Sequence, residues 1–377
     1  MSKNGNKETK GSRGGDGHSE SDERDFTGGA IHALSPHRGT TGDTELDHKV
    51  REMVEGWSKG GHEILIEELI VTALNMARDN HAVGDMKLIN RANKEFRTAC
   101  NVFAPYVGRR KVSIYGSART PPSEPEFQAA ELFAARMREE GFMSITGAGD
   151  GIMGAGQKGS GRDDSFGLNI NLPFEQSANE TIIGDDKLVD FNYFFTRKLF
   201  FVKESDAVAL FPGGFGTMDE CFENLTLMQT GKASIVPIVM VDSPGGSYWK
   251  TFHQFIREHL CRLELISEDD FNLFMITDNV EEAVSEITGF YRNFHSYRYV
   301  GDRLIIRMRH RLDDDVVAGF NEEFAGLLAR GEFVQGEALD AEVNEPGIAH
   351  LPRLVFTHTR RNFGTLRRLI NAVNAAM

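Results

Sequence analysis

Between Lys111 and Val241 short apolar, β-branched runs alternate with longer amphipathic ones, and this alternation constrains the fold more than any other feature of the chain. KVSIYG, FMSITG, FGLNINL, DAVALF and IVPIVMV read as strands. The intervening EFQAAELFAARMREEG, RKLFFVKES and TMDECFENLTLMQTG read as helices, as does YWKTFHQFIREHLCRL after the last strand, and Gly141 ends the first. Strands joined through helices need right-handed crossovers. These build a mainly parallel sheet with helices on both faces and place ligands at the carboxyl ends of the strands. The sequence therefore predicts an α/β, Rossmann-like domain over residues 109–295.

The flanks read differently. After Met1, residues 1–44 hold only Phe26, Ile31 and Leu34 as large apolar side chains, too few to offset chain entropy, so a disordered tail is expected. Residues 45–108 form a helical lead-in, in which Ile66, Leu69, Ile70, Ala73 and Ala77 fall on one helical stripe. After Phe290 a second alternation begins. RLIIRMRH and RLVFTH read as strands, LDDDVVAGFNEEFAGLLARG and NFGTLRRLINAVNAAM as helices, giving a small α/β addition over 296–377.

Charge and cysteine usage narrow the function classes. With 42 basic against 56 acidic residues the net charge is -14, which repels phosphate backbones and sets nucleic-acid polymers aside as partners. Cys100, Cys221 and Cys261 are odd in number and lack CxxC spacing, which fits a reducing compartment. The first residues carry no apolar signal segment and no later run reaches the ~18 apolar residues of a membrane span, so a cytoplasmic location without membrane partner is expected. None of the 12 histidines lies in HExxH, and no GxSxG occurs, so no metal site and no Ser-His mechanism is predicted.

The chemistry concentrates in DAVALFPGGFGTMDECFE, Asp206 to Glu223, where a strand feeds a Pro-Gly-Gly turn and then a helix. Gly213, Gly214 and Gly216 let backbone approach a ligand, and the helix start attracts phosphate. The Lys-Ser/Thr pair of a Walker A loop is missing. The same stretch also fits a capping box, with Thr217 as cap and Glu220 reaching back to it. A second loop, GAGDGIMGAGQKG, contains GxGxxG at Gly149, Gly151 and Gly154. It follows the second strand rather than the first, and close helix packing explains it equally well. The first strand ends in Gly116, Ser117, Ala118 and Arg119, either a phosphate contact or an ordinary turn. Arg197 and Lys198 follow Phe191, Tyr193, Phe194 and Phe195, and read either as solvated surface or as site cations.

Together YGSART, TGAGDGIMGAGQKG, GLNINLPFEQSAN and FFTRKLFFVKESDAVALFPGGFGTMDECFENLTLMQTGK resemble the lonely-guy (LOG) family of cytokinin riboside 5'-monophosphate phosphoribohydrolases, often mislabelled lysine decarboxylases. The likeness runs from roughly Lys111 to Arg292. It implies a cytoplasmic homodimer or higher homo-oligomer without cofactor that cleaves AMP or an N6-modified AMP to free base and ribose 5-phosphate. By motif, Arg197 and Glu220 would be the essential pair, and Gly213, Gly214, Gly216 and Thr217 would hold the phosphate. Gly116, Ser117 and Met153 would line the nucleotide pocket, with Lys198 beside Arg197 on the substrate side. Two departures stand out: Gly147, Ala148 and Gly149 replace the usual triple glycine, and Asp150 stands where many long members carry Pro.

Glycoside cleavage passes through an oxocarbenium-like state that a carboxylate such as Glu220 stabilises, while Arg197 supplies a permanent cation for phosphate or departing base. The rival from another class is a non-catalytic nucleotide or cofactor carrier on the same fold. A pyridoxal-dependent decarboxylase would need a Schiff-base lysine that no motif identifies. Finally, Arg360, Arg361, Arg367 and Arg368 around NFGTLRRL suggest a second anion or regulatory-nucleotide site, against the plainer reading of a buttress for the dimer.

Overall fold

The computed structural model describes residues 39–57, 61–171, 178–342 and 345–377. The expected tail falls, up to residue 38, outside the described residues. Among the described residues the lead-in holds three α-helices, α1 (Thr44–Trp57), α2 (Glu63–Arg78) and α3 (Val83–Phe103). Seven strands follow: β1 (Lys111–Tyr115), β2 (Met143–Thr146), β3 (Ser165–Ile170), β4 (Leu188–Phe191), β5 (Ala207–Leu210), β6 (Ile238–Val241) and β7 (Phe274–Thr277). They form one parallel sheet in the order β4-β3-β2-β1-β5-β6-β7. The connections carry α4 (Pro125–Glu139), α5 (Ile152–Ser160), α6 (Phe194–Glu204), α7 (Phe215–Gln229) and α8 (Tyr248–Phe255), and α9 (Val280–Phe290) follows β7. This is the Rossmann-like sheet that the alternation predicts.

Both faces of the sheet are buried, and side chains alternate between them with period two. Val208 and Leu210 join a core with Phe103 of α3, Phe200 and Phe201 of α6, Met228 of α7 and Trp249 of α8. Ala207 and Ala209 face the other way, onto Phe133 of α4, Ile152 of α5 and Ile287 of α9. Local signals place the helices: Pro125 opens α4, and the Asn279 side chain caps α9 by accepting from Glu281 N at 2.9 Å.

The periodicity missed β4 and β7, whose LVDF and FMIT are only partly buried and lie at the two edges of the sheet, and it missed β8 in the second sheet. Beyond Phe290, β8 (Phe294–Val300), β9 (Arg303–Met308), β10 (Leu328–Gly336) and β11 (Arg353–His358) make an antiparallel sheet in the order β10-β11-β9-β8, with α10 (Asp314–Glu323) and α11 (Phe363–Ala375). The helix expected to reach Gly331 stops at Glu323. Its remainder pairs with β11 instead, because burial of Leu327 and Phe333 in the second core outweighs the helical propensity of Leu-Leu-Ala-Arg.

A buried ion network closes this second sheet. Glu342 accepts from Arg307 Nε at 2.8 Å and from Arg353 Nε at 3.1 Å, and Glu345 takes Arg307 Nη2 at 2.7 Å. A cavity of about 90 Å³ lies at the seam between the two sheets rather than at the strand ends, bounded by Asn224, Met228, Ile235, Phe294, Tyr297 and Arg307 among others.

Candidate functional site

The strand order reverses between β1 and β5, and the crevice at such a switch is where open α/β sheets bind ligands. The two strands stay in register to their ends, Tyr115 against Leu210. Phe211 N then donates to Tyr115 O (2.8 Å) and Ser117 N to Pro212 O (3.1 Å), while Ile152 N donates to Ser117 O (3.0 Å). These bonds tie the loop after β1, the Pro-Gly-Gly loop after β5 and the start of α5 to one another. Gly116, Ser117, Gly213 and Gly214 are thereby brought together, as the motifs predict.

The glycines of the Pro-Gly-Gly loop serve different ends. A β-carbon on Gly213 would overlap the Thr217 hydroxyl and stand 3.0 Å from Ser117 N, so internal packing demands this glycine. At Gly214 and Gly216 the same atom would meet open space within 4 Å. Their bareness is not required by neighbours and leaves backbone open at the mouth of the crevice.

The expected capping box does not form. Helix α7 begins at Phe215 with extended Gly214 as its N-cap and no side-chain cap, so Thr217 lies inside the first turn and Glu220 a turn further on. Backbone geometry accounts for this: Gly214 O takes Met218 N at 3.1 Å, three residues before a Thr217 cap would allow. The helix start is therefore open to an anion, and Glu220 is released from any capping duty.

Glu220 is 7% exposed, and its Oε2 has no hydrogen-bond partner among the described residues. Burial pushes its carboxyl up to about 7; Lys198 and Arg197 act against the shift, and Glu223 and Asp219 add to it. A buried carboxylate oxygen without a partner is costly, and one with a perturbed pKa in a cleft is a candidate functional group. Tyr115, at the end of β1, has its phenol raised well above the usual range by burial and by the Glu220 charge, which keeps the buried hydroxyl protonated.

Arg197 and Lys198 sit in the first turns of α6, which starts three residues before the predicted helix. Arg197 Nε donates to Leu168 O at the β3 strand (2.7 Å), and the guanidinium lies 5.2 Å from the Phe201 ring centroid. Lys198 faces α7, with Nζ at 2.9 Å from Asp219 and 3.0 Å from Glu223. Burial opposes its charge, but those carboxylates outweigh it and hold the ammonium above its ordinary value. Met153 packs over the second glycine loop, its Sδ 2.6 Å from where a Gly147 β-carbon would stand.

Sequence reasoning missed Tyr115 and two supports of these loops. Asn179 Nδ2 donates to Ala148 O (3.0 Å) and Gly149 O (2.8 Å), holding a loop in which Ala148 adopts φ 66°. Tyr248 donates its hydroxyl to Gly213 O at 2.6 Å. Tyr115 could have been found as the last residue of a strand feeding a Gly-Ser turn, whereas nothing local marks the other two. Around NFGTLRRL, Asp269 sits at the start of α11, accepting from Thr365 Oγ1 (2.6 Å) and lying 3.8 Å from Arg368, and Arg367 is buried against Glu286, while Arg360 and Arg361 are exposed.

Among the described residues no group of three or more His, Cys, Asp or Glu is placed to hold a metal, and no helix is long and apolar enough to cross a membrane. No curated protein matches the chain. Among solved structures it is similar to the molybdenum cofactor carrier protein of Chlamydomonas reinhardtii, at 14% identity over 48% of this chain and 96% of that one, with a TM-score of 0.34. It is also similar to the molybdenum cofactor binding protein of the phototrophic bacterium Rippkaea orientalis, at 16% identity over 48% and 96% of the two chains, with a TM-score of 0.35. Residues 147–287 match the family model described as possible lysine decarboxylase, a stretch that includes Arg197, the Pro-Gly-Gly loop and Glu220. That stretch is the part of the chain that is similar to this family, and it lies within the Lys111 to Arg292 region whose motifs resemble the lonely-guy group.

Proposed function

We propose that the chain hydrolyses the N-glycosidic bond of a nucleoside 5'-monophosphate, AMP or an N6-modified AMP such as a cytokinin nucleotide, to free base and ribose 5-phosphate. The observation that carries this reading is Glu220: a buried carboxylate with an orphaned oxygen, in the second turn of a helix whose open start suits a phosphate. The uncapped amides of α7 at Gly214 and Gly216 would take the phosphate, with Thr217, Ser117 and Gly116 around it and Arg197 as the cation beside it. Glu220, once ionised, would face the positive charge that develops at C1' and orient the attacking water. Water oxygen bonds to C1', the C1'–N bond breaks with its electron pair going to the base, and the proton lost by water ends on that base.

A carrier would also use the open helix start. It has no use for a carboxylate buried against the anion it carries, and Glu220 therefore favours the enzyme. The decisive experiment incubates the full chain with a panel of nucleoside monophosphates and identifies released bases, with Glu220→Gln in parallel. The enzyme reading expects base release from the wild type and binding without release from the variant. Tight binding without release by both would establish the carrier instead. The same reading carries a homodimer or higher homo-oligomer and a division at about residues 108 and 295; sedimentation and limited proteolysis check these.

A further inference from the structure

The helix that bears Arg197 is anchored from outside the parallel sheet. At the start of α6 the N-cap Tyr193 makes no side-chain cap. Instead a carboxylate reaches in from α3: Glu95 Oε1 accepts from Asn192 N (3.0 Å) and Asn192 Nδ2 (2.9 Å), and Oε2 accepts from Thr196 Oγ1 (2.6 Å). Glu95 is 6% exposed, and a carboxylate buried that far is tolerated only when hydrogen-bonded and favourably placed; three donors and the positive end of a helix meet both conditions. Packing reinforces the link. Phe96 and Phe103 of α3 lie 6.1 and 6.2 Å from the Phe200 ring of α6, and Phe103 stacks on Phe166 of β3 at 4.4 Å.

The residue after Thr196 is Arg197. Its guanidinium is fixed at the far end by Leu168 O and Phe201, so the place of its backbone decides whether those contacts can form. We propose that Glu95 is a positioning residue for Arg197, so that the helical lead-in sets where the cation stands in the crevice. This rests on the reading of Arg197 as the cation that meets the nucleotide. A carboxylate accepts from all three donors at once, whereas Gln offers one acceptor oxygen and carries no charge for the helix start, so the Thr196 hydroxyl would have to turn to Tyr193 O, 2.9 Å away.

The test uses the full chain with Glu95→Gln, Glu95→Ala, Arg197→Ala and the Glu95→Gln/Arg197→Ala double variant. A first readout needs no ligand: the Arg197 Nε–H resonance, assigned by its loss in Arg197→Ala, with its rate of exchange with water. Glu95→Gln should shift this resonance and speed its exchange, and Glu95→Ala should do so more strongly. The second readout is AMP binding and base release. A misplaced guanidinium should weaken AMP binding at least about tenfold in Glu95→Gln while thermal unfolding stays close to wild type, and the same change in the Arg197→Ala background should add nothing. An unmoved Nε–H resonance, or an equal loss of binding with and without Arg197, would overturn the proposal. If the wild type releases no base, the enzyme reading fails while the resonance still decides the role of Glu95.

Discussion

A β-carbon on Gly147 would fall inside the van der Waals envelope of Arg197 Nη2, so the bare glycine after β2 is the surface against which the guanidinium lies. The same β-carbon would stand 2.6 Å from Met153 Sδ. Both obstructing atoms are ends of flexible side chains, which can move without disturbing the sheet. Gly147→Ala should therefore keep its melting temperature within about 4 °C of wild type, corresponding to at most about 1 kcal/mol. With Arg197 displaced, the KM for nucleotide should rise at least about tenfold. Wild-type kinetics in this variant would mean that the tip of Arg197 takes no part.

Gly216 offers the opposite test, because nothing lies within 4 Å of a β-carbon there. It occupies the first turn of α7, where Ala is the better helix former by up to about 1 kcal/mol. Gly216→Ala should be as stable as wild type or slightly more so, yet bind AMP more weakly, since the methyl group would stand where the phosphate approaches. Calorimetric titration alongside thermal unfolding checks both halves. A stabilised variant with undiminished affinity would place the phosphate elsewhere.

How far the sequence foretold this site depends on the range of each interaction. Strand and helix alternation is local, and it yielded the parallel sheet and the loops bearing Gly116, Ser117, Gly213 and Gly214. Arg197 and Glu220 were legible through motif, and their neighbourhood only through the fold: Leu168 O, which holds Arg197, lies 29 residues away. The capping box misled because Thr217-x-x-Glu220 satisfies a local rule, while the backbone began α7 earlier, at Phe215. The contacts of Glu95 span 97 to 101 residues and those of Tyr248 span 35, and no periodicity encodes such distances. The edge strand β10 was hidden for a related reason, since its pairing with β11 and not its own propensity decides its form.

In the second sheet, Glu342 lies between two buried guanidinium groups, those of Arg307 and Arg353, at 3% and 0% exposure. Burial works against its charge, but the Arg353 and Arg307 partners and Leu339 N outweigh it and hold the carboxyl below its ordinary value. Removing the carboxylate leaves Arg353 buried without its ionic partner, and breaking a buried pair on one side typically costs about 3 to 5 kcal/mol. Glu342→Ala should lower chemical stability by about that amount, as read by denaturant unfolding. The sign for pH follows from the depressed value: this stabilisation is present above the ordinary carboxylate range and is lost as pH falls through the folded-state value. Denaturation curves that superimpose on those of wild type would show the network to be a bystander.

Glu220 titrates in the opposite sense. Its carboxyl sits at about 7 in the folded chain against an ordinary 4.5, because burial favours the neutral form. Between those values the folded chain holds a proton that the unfolded chain has released, so stability falls as pH rises through this window, by about 3 kcal/mol in all. Glu220→Gln removes the titration and keeps the shape. From pH 4.5 to pH 8 the variant should therefore gain on wild type by up to that amount, becoming the more stable protein in mild base. Catalysis should run the other way. If the ionised carboxylate faces the developing cation, wild-type kcat should climb with pH along a limb centred near 7 and then level off, while Glu220→Gln should fall by ~10² or more and lose the limb. Unfolding curves for the two proteins that stay parallel between pH 5 and 8 would mean that Glu220 carries no raised titration. A Gln variant that releases base at the wild-type rate would remove the carboxylate from the mechanism altogether.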